Sequence, residues 1–355
     1  YGTTTLDRLA FQQAMDDIGA DLTAGTSFSL RILADRFDQG VKLLADNLLH
    51  PAFPAQAFAI VQRETALALK GEEESSSFKM MRTLHTALFT SEDATLREAT
   101  PESVSALKLD DVKAYCRRVF RPDMTTIVVI GRVTPEQARA VIERYFGEWK
   151  AAGAKPQTDP PPVPLNKPSS AMVPDASRVQ VEVQLAETIG LTRADPDYYA
   201  LQLGNHVLSG AFYATRLYRD LRERTGLVYT VESFLEIGKT RSLFGVFYAC
   251  DPPNVSKARA LIEGDLRAMQ TAPVTAQELR QAKALLIRQV PLSRSSMENI
   301  AGNLLSLAHD DLPLDESQRA ARRYLDITAE QMKDAFAKWV RPADFVQVTV
   351  GPAPQ

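Results

Sequence analysis

The stretch "EQMKDAFAKWVRPADFVQVTVG" (residues 330–351) decides the fold, because the chain contains a second version of it, "DDVKAYCRRVFRPDMTTIVVIG" (110–131). The two versions align over their whole length without a gap, and Arg121 and Arg341 each begin an Arg-Pro dipeptide. Each version has apolar residues at helical spacing, an Arg-Pro stop and a β-prone run that ends at glycine. The pattern predicts a helix followed by a strand in each half, and hence an internally duplicated α/β unit.

The similarity extends upstream, where "LLHPAFPAQAF" (48–58) resembles "MQTAPVTAQEL" (269–279). Gly19 in "DDIGADL" likewise matches Gly226 in "ERTGLVY". On this alignment the residues that would match 171–207, a strand and a helix, precede Tyr1. We therefore expect an α+β fold of two homologous α/β sandwich domains, the first of them truncated at its N-terminus.

Hydrophobic spacing assigns the individual elements. In the second half it predicts strands at 177–186, 227–235, 242–250 and 345–350, and helices at 195–209, 214–224, 255–270, 275–289, 295–308 and 328–339. In the first half it predicts strands at 21–33 and 125–130, and helices at 5–17, 37–49, 54–70, 76–89, 109–120 and 134–149.

A proline-rich stretch, "AAGAKPQTDPPPVPLNKPSS" (151–170), separates the two halves. Proline lacks a backbone N–H and fixes φ, so such a run favours an extended, semi-rigid spacer. The predicted organisation is a first domain over 1–150, a linker over 151–170 and a second domain over 171–355.

Composition excludes several classes of function. The chain has 355 residues and a formal net charge of −3, which gives no reason to expect nucleic acid as a partner. No apolar run reaches the length of a membrane span. The two cysteines, Cys116 and Cys250, lie far apart and are interpreted as free thiols.

Three longer runs carry a family resemblance. They begin "GTTTLDRLAFQQAMDDIGADLTAG" (residue 2), "FRPDMTTIVVIGRVTPEQARAVIERYFGEW" (residue 120) and "LGNHVLSGAFYATRLYRDLRERTGLVYTVES" (residue 203). In this order they resemble the pitrilysin/insulinase zinc peptidases, the M16 family, which include the mitochondrial processing peptidase. The resemblance covers essentially the whole chain, and it implies two homologous domains of the LuxS/processing-peptidase type joined by a linker.

The resemblance also implies a substrate-contacting pair within "ATRLYRDLRERTGLVYTV" (214–231). By motif position the pair is Arg216 and Tyr229, and a guanidinium and a phenol can both donate to a peptide carbonyl. Gly226 is expected to turn the chain tightly and bring Tyr229 beside Arg216. The other arginines of the helix are interpreted as solvated, and "SGAF" (209–212) departs from the fuller glycine run usual in the family.

The zinc site of the family is where this sequence departs most. The family's His-x-x-Glu-His motif is absent, and the four histidines do not share helical spacing: His50, His85, His206 and His309. The family's later glutamate ligand would fall near Ala68 or Leu69, although Glu64, Glu72 or Glu73 could take its place. We therefore expect no catalytic residue, metal ligand or cofactor in this chain.

Two functions remain open. In the first, the chain is the non-catalytic half of a bipartite zinc peptidase, as a separate subunit or as part of a tandem polypeptide. It then contributes Arg216 and Tyr229 to a chamber shared with a zinc-binding, His-x-x-Glu-His-bearing half. In the second, it is an assembly protein of the same fold without a role in proteolysis. The resemblance suggests the periplasm, with the cytoplasm not excluded.

Overall fold

The computed structural model describes residues 2–210, 215–292 and 294–352. The helices are α1 (Arg8–Asp17), α2 (Phe37–Leu49), α3 (Ala55–Glu74), α4 (Ser76–Leu88), α5 (Pro101–Ala106), α6 (Leu109–Val119), α7 (Pro135–Phe146), α8 (Tyr198–Ser209), α9 (Val255–Thr271), α10 (Ala276–Leu292), α11 (Met297–His309), α12 (Glu316–Asp326) and α13 (Ala329–Trp339). The strands are β1 (Asp21–Ala24), β2 (Phe28–Arg31), β3 (Ser169–Pro174), β4 (Val181–Ile189), β5 (Val228–Ile237), β6 (Ser242–Cys250) and β7 (Val346–Gly351).

The chain forms two compact units. Unit 1 consists of residues 1–70 and 99–157, and unit 2 consists of residues 71–98 and 158–355. The segment 71–98, which contains α4, therefore belongs to unit 2 although it lies in the first half of the sequence.

Unit 1 is mostly helical, and its core lies between α2 and α7. Val41, Ala45 and Phe146 are buried there. Tyr145 of α7 donates a hydrogen bond from its hydroxyl to Asp38 of α2 at 2.8 Å, which ties the two helices together. The sheet of this unit is the antiparallel pair of β1 and β2.

Unit 2 is built on a five-stranded sheet in the order β3-β7-β4-β6-β5. The β3–β7 pair is parallel and the other three pairs are antiparallel. Side chains alternate between the faces of a strand, so β4 presents Val183 and Leu185 to one face and Ala186 to the other. Both faces are apolar there, which indicates that both are covered.

Helices cover the two faces unequally. The large core cluster joins the sheet to α8, α9, α10 and α13 on one face. On the other face α4 packs Met80, Leu84 and Leu88 against Val346, Val348 and Val350 of β7 and against Val173 of β3. The α+β class predicted from the sequence is confirmed.

Most predicted elements are confirmed within a few residues. The structure corrects three details: the predicted strand 21–33 is the β1–β2 hairpin, the segment 125–130 forms no strand in the described chain, and β3 begins at Ser169 inside the predicted linker. Sequence spacing missed α5 and α12. The predicted domain division at 151–170 stays a prediction, and it differs from the two compact units in the position of residues 71–98.

Candidate functional site

The helix that carries the predicted Arg216 contains a π-helical turn, Tyr218–Glu223. The Arg224 N–H donates to the Arg219 carbonyl at 2.9 Å, a bond that spans five residues. Leu217 and Leu221 are fully buried in the core of unit 2 and orient the helix. π-Helical turns are rare and occur often at functional sites, so this segment is a candidate site on geometry as well as on sequence.

Gly226 ends this helix in the left-handed region, with φ of +62°. The Leu227 N–H donates to the Leu221 carbonyl at 2.9 Å, which closes the turn before β5. Glycine adopts this conformation at little cost, as the sequence predicted for this position. The predicted tight turn is therefore confirmed.

Arg216 forms a bidentate ion pair with Glu278 of α10. Its Nε and Nη2 donate to the two carboxylate oxygens at 2.8 and 3.0 Å. The side chains are only 12% and 14% exposed. A planar, bidentate pair of this kind is among the stronger side-chain contacts in proteins, so Arg216 is firmly held.

Glu278 also caps α10. Its carboxylate accepts from the Thr275 N–H at 2.8 Å, and its own N–H donates to the Thr275 hydroxyl at 3.2 Å, which makes a capping box. Burial alone would raise the pKa of Glu278, but the hydrogen bonds from Arg216 and Thr275 outweigh it and lower the pKa to about 2. The Glu278 carboxylate therefore stays ionised at neutral pH.

Tyr229 lies where the β5–β6 ladder is irregular. The register shifts between Val228 and Thr230, so Tyr229 is the extra residue of a β-bulge. Bulges re-aim side chains and are common beside binding sites. The Tyr229 side chain is 46% exposed, and its hydroxyl lies 3.1 Å from both carboxylate oxygens of Asp251.

Arg222, an arginine that the resemblance did not select, contacts Tyr229. Its guanidinium carbon lies 5.6 Å from the centre of the Tyr229 ring, within cation–π range. Its Nη1 donates to the Val228 carbonyl at 3.0 Å. Arg216 and Tyr229 therefore bond to different partners, and the sequence did not identify Arg222, Asp251 or Glu278.

An acidic pair lies beneath the same helix. Asp220 accepts from Arg219 and Arg224, while Asp265 of α9 has a buried oxygen without a hydrogen-bond partner. Burial and the negative charge of Asp220 raise the pKa of Asp265 to about 6.

The donor side chains of the described residues do not fit a zinc site. Within the described ranges, no group of three or more His, Cys, Asp or Glu side chains could hold a metal ion. Burial lowers the pKa of His206 on α8. Glu64 and Glu72 are exposed on α3, consistent with solvated helix residues. These residues therefore support no chemical step through zinc.

No helix within the described ranges is long and apolar enough to cross a membrane. Residues 211 and 212 of the "SGAF" stretch, and the first residue of the predicted helix 214–224, lie outside the described residues.

Comparison with known proteins defines the class. The family description "Peptidase M16 inactive domain" matches residues 106–286, just over half of the chain. The chain belongs to the peptidase M16 family.

Curated relatives have names of two kinds. The chain is 22% identical to the "Non-peptidase homolog YmxG" of Helicobacter pylori, over 94% of this chain and 78% of that protein. It is 21% identical to the "Uncharacterized zinc protease YmxG" of Bacillus subtilis, over 83% of this chain and 72% of that protein.

Solved structures share the fold. A peptidase M16 inactive domain from Pseudomonas fluorescens superposes with a TM-score of 0.87 at 24% identity, covering 99% of this chain and 86% of that one. The periplasmic protease PqqL from Escherichia coli superposes with a TM-score of 0.83 at 17% identity, covering 99% of this chain and 39% of that one. At these identities the likeness establishes the fold alone.

Proposed function

We propose that this chain is the non-catalytic half of a bipartite zinc-dependent peptidase and that it binds substrate peptide at Arg216 and Tyr229. The observation that carries the proposal is Tyr229, an exposed aromatic placed by a β-bulge beside a carboxylate. A phenol in such a setting can bond the polar groups of a peptide main chain. The match to the "Peptidase M16 inactive domain" description supports a non-catalytic role, and so does the lack of a metal-holding group of donors among the described residues.

The partner in this proposal is a His-x-x-Glu-His-bearing M16 half, either a separate subunit or part of a tandem polypeptide. Zinc belongs to that half, where two imidazoles and a glutamate can bind it and activate water. This chain contributes peptide contacts to the shared chamber and binds no cofactor. The periplasm is the proposed compartment, supported by the fold that the chain shares with the periplasmic protease PqqL.

The proposed domain order is a duplicated M16 unit, with residues 1–150 and 171–355 on either side of the proline-rich linker. Matching local geometry supports the duplication. Gly19 and Gly226 have φ of +61° and +62°, and Arg121 and Arg341 each precede a short 3-10 turn.

An assembly protein of the same fold is the second candidate. The observation that favours it is the Arg216–Glu278 pair, because a guanidinium committed to a carboxylate is not free for a substrate. In that case Arg216 stabilises the fold and the surface near Tyr229 has no role in proteolysis.

Zinc content and peptide cleavage test the proposal. The purified chain, dialysed with zinc, should retain far less than one equivalent by elemental analysis and should leave unfolded peptides intact. Adding the catalytic half should produce cleavage, and Tyr229→Phe in this chain should lower turnover or raise KM. Stoichiometric zinc with chelator-sensitive cleavage by this chain alone would refute the non-catalytic assignment. If the Tyr229→Phe and Arg216→Ala variants each give full turnover when combined with the catalytic half, the assembly protein is favoured.

A further inference from the structure

A polar cleft lies in unit 2 between the strands β3 and β7 and the first turns of α9. Its volume is about 400 Å³. Val346 and Val348 pack with α4 on one face of the sheet, so Gln347 between them lies on the other face, beside α9. The polar residues that line the cleft are Ser170 of β3, Gln347 of β7, and Ser256, Arg259 and Glu263 of α9.

The Arg259 guanidinium is oriented by two acceptors in this cleft. Its Nε donates to Glu263 at 2.9 Å, and its Nη1 donates to Gln347 at 2.8 Å. A guanidinium has five N–H donors, and the remaining three have no partner among the described residues. The Arg259 side chain is 28% exposed, so it is held in place and is still accessible to a ligand.

Gln347 is satisfied at both ends of its amide. Its Oε1 accepts from Arg259, and its Nε2 donates to the Thr349 hydroxyl at 3.2 Å. A polar side chain on a central strand is costly unless it is hydrogen-bonded, and here the bond to Arg259 offsets part of that cost. Gln347 therefore fixes the guanidinium and has little capacity left for a ligand.

The ion pairs beside the cleft have an excess of positive charge. Glu263 accepts from Arg259 and, through its second oxygen, from Arg267 at 3.0 Å, so two guanidinium groups share one carboxylate. The hydroxyls of Ser170 and Ser256 line the cleft without a hydrogen-bond partner in the part of the chain that the structure describes. A cation next to free hydroxyl donors favours an anionic ligand.

Size and geometry narrow the class of anion. A volume of about 400 Å³ exceeds the need of one inorganic anion and lies in the range of small-molecule sites. A planar guanidinium with free N–H groups matches the two oxygens of a carboxylate. Among the described strands, β3 has a neighbour on one side only, so its backbone can also bond an amide.

We propose that this cleft, which we call the α9 cleft, binds a small organic carboxylate such as an amino acid or the C-terminal end of a short peptide. Arg259 donates to the carboxylate, and the Ser170 and Ser256 hydroxyls add further donors. Gln347 and Glu263 are positioning residues that orient the guanidinium. The site shares no residue with the candidate site at Arg216 and Tyr229, and it does not depend on the proposed function.

Binding of a capped dipeptide by the purified chain tests this proposal. The probe is N-acetyl-alanyl-alanine, titrated to tens of millimolar and followed by saturation-transfer NMR. It should bind with a Kd on the order of 1 mM, as expected for a ligand of this size. Its C-terminal amide should bind about tenfold more weakly, because it lacks the charge that Arg259 recognises. Equal binding of the acid and the amide, or binding of neither, would overturn the proposal.

Two competitors identify the source of the carboxylate. Displacement of the probe by free alanine would extend the site to amino acids, and failure of alanine to displace it would restrict the site to peptide ends. Both results support a carboxylate site. Inorganic phosphate that binds more tightly than the dipeptide would show a site for inorganic anions and would refute the assignment.

Matched variants locate the bound carboxylate. Arg259→Met should raise Kd about tenfold, the scale of a hydrogen bond between charged groups. The control is Arg267→Met, because Arg267 pairs with the same Glu263 and is not among the residues that line the cleft. This control should change Kd by less than about twofold, since the lost charge is exposed.

A further variant keeps the test decisive if Arg259→Met does not fold. Ser170→Ala changes an exposed residue of β3 without touching the ion pairs, and it should raise Kd about threefold through the loss of one neutral hydrogen bond. Circular dichroism checks that each variant is folded. If Arg267→Met weakens binding as much as Arg259→Met does, general positive charge binds the probe and the α9 cleft is wrong. An unchanged Kd in Ser170→Ala and in folded Arg259→Met would equally exclude the cleft.

Discussion

The segments 125–130 and 345–350 occupy the same position in the two aligned halves but have different structures. Val346–Gly351 is β7, a central strand with a hydrogen-bonded neighbour on each side. Residues 125–130 belong to no ladder in the described chain, and Ile127 and Val129 are 45% and 37% exposed. The same local pattern of β-branched residues therefore gives a strand in one place and an unpaired segment in the other.

The difference lies in the neighbours. β7 receives β4 on one side and β3 on the other, while α4 covers its valines. No described residue of unit 1 pairs with 125–130. Strand formation thus depends on tertiary partners more than on β propensity, which mainly reports how well a side chain fits a covered sheet.

The largest expected effect is the loss of stability at Val348 relative to that at Val128, the residue aligned with it. Val348→Asp should cost about 4 kcal/mol or more, because it places a carboxylate in a fully buried site on the central strand. Val128→Asp should cost about 1 kcal/mol or less, because its segment is only partly covered. Chemical denaturation followed by circular dichroism measures both. Equal losses would mean that the two segments have the same environment in solution.

The second prediction concerns β4, which pairs with β7. Residues 125–130 have no such neighbouring strand in the described chain. Glu187 of β4 is fully buried and accepts from the Arg341 N–H at 2.8 Å. Burial raises the pKa of Glu187 from 4.5 to about 7, against the lowering effect of Arg341. Between these pH values the folded state keeps a proton that the unfolded state has lost.

The free energy of unfolding should therefore fall as pH rises from 4.5 to about 7, by roughly 3 kcal/mol at most. Above pH 7 this contribution should stay constant. Asp265, whose pKa is raised to about 6, adds a slope of the same sign below pH 6, so the test of Glu187 is the interval from about pH 6 to 7. Glu187→Gln should remove the slope in that interval, and urea titrations at half-unit pH steps can measure it. A slope between pH 6 and 7 that persists in Glu187→Gln would assign the titration to another group.

The third prediction compares the starts of α3 and α10. The alignment of 48–58 with 269–279 places Ala57 opposite Glu278, so only the second half has the carboxylate that holds Arg216. Arg216→Met should cost about 2 kcal/mol at neutral pH, since it leaves a poorly exposed carboxylate without its main partner.

The Arg216–Glu278 pair also predicts a loss of stability at acid pH. Glu278 has its pKa lowered from 4.5 to about 2, so its stabilisation is complete above pH 4.5 and is lost as pH falls toward 2. Glu278→Gln should remove this part of the acid transition. An acid transition that is identical in Glu278→Gln would mean that the ion pair contributes nothing to the stability.

Sequence spacing could predict elements whose signal is local. The helices α2 and α13 and the strand β6 were placed to within a residue, because apolar periodicity, Arg-Pro stops and glycines mark them directly. It could not predict that α4 packs on the sheet of unit 2, since an amphipathic helix does not encode which apolar surface covers it.

The candidate site shows the same division. Tyr229 and Gly226 could be identified by motif, and the turn at Gly226 was predicted correctly. The TAQE capping box at 275–278 was readable but gave no sign that Arg216 would bond to it. Asp251 and Arg222 could not be found, because the Asp251 contact joins the neighbouring strands β5 and β6 and the Arg222 contact depends on the π-helical turn and the bulge.

The smallest expected effect is a loss of stability that should be similar in the two halves. Gly19 and Gly226 both end a helix in the left-handed region, with φ of +61° and +62°, and a Cβ added at either would meet no atom within 4 Å. The cost of alanine is therefore set by backbone conformation alone, about 1 kcal/mol at each position. Thermal unfolding of Gly19→Ala and Gly226→Ala should give similar small losses, and Asn at either site should cost less than Ala because Asn tolerates this conformation better. A large loss at Gly226 alone would mean that the turn there depends on tertiary contacts, as β7 does, and that its resemblance to the turn at Gly19 is superficial.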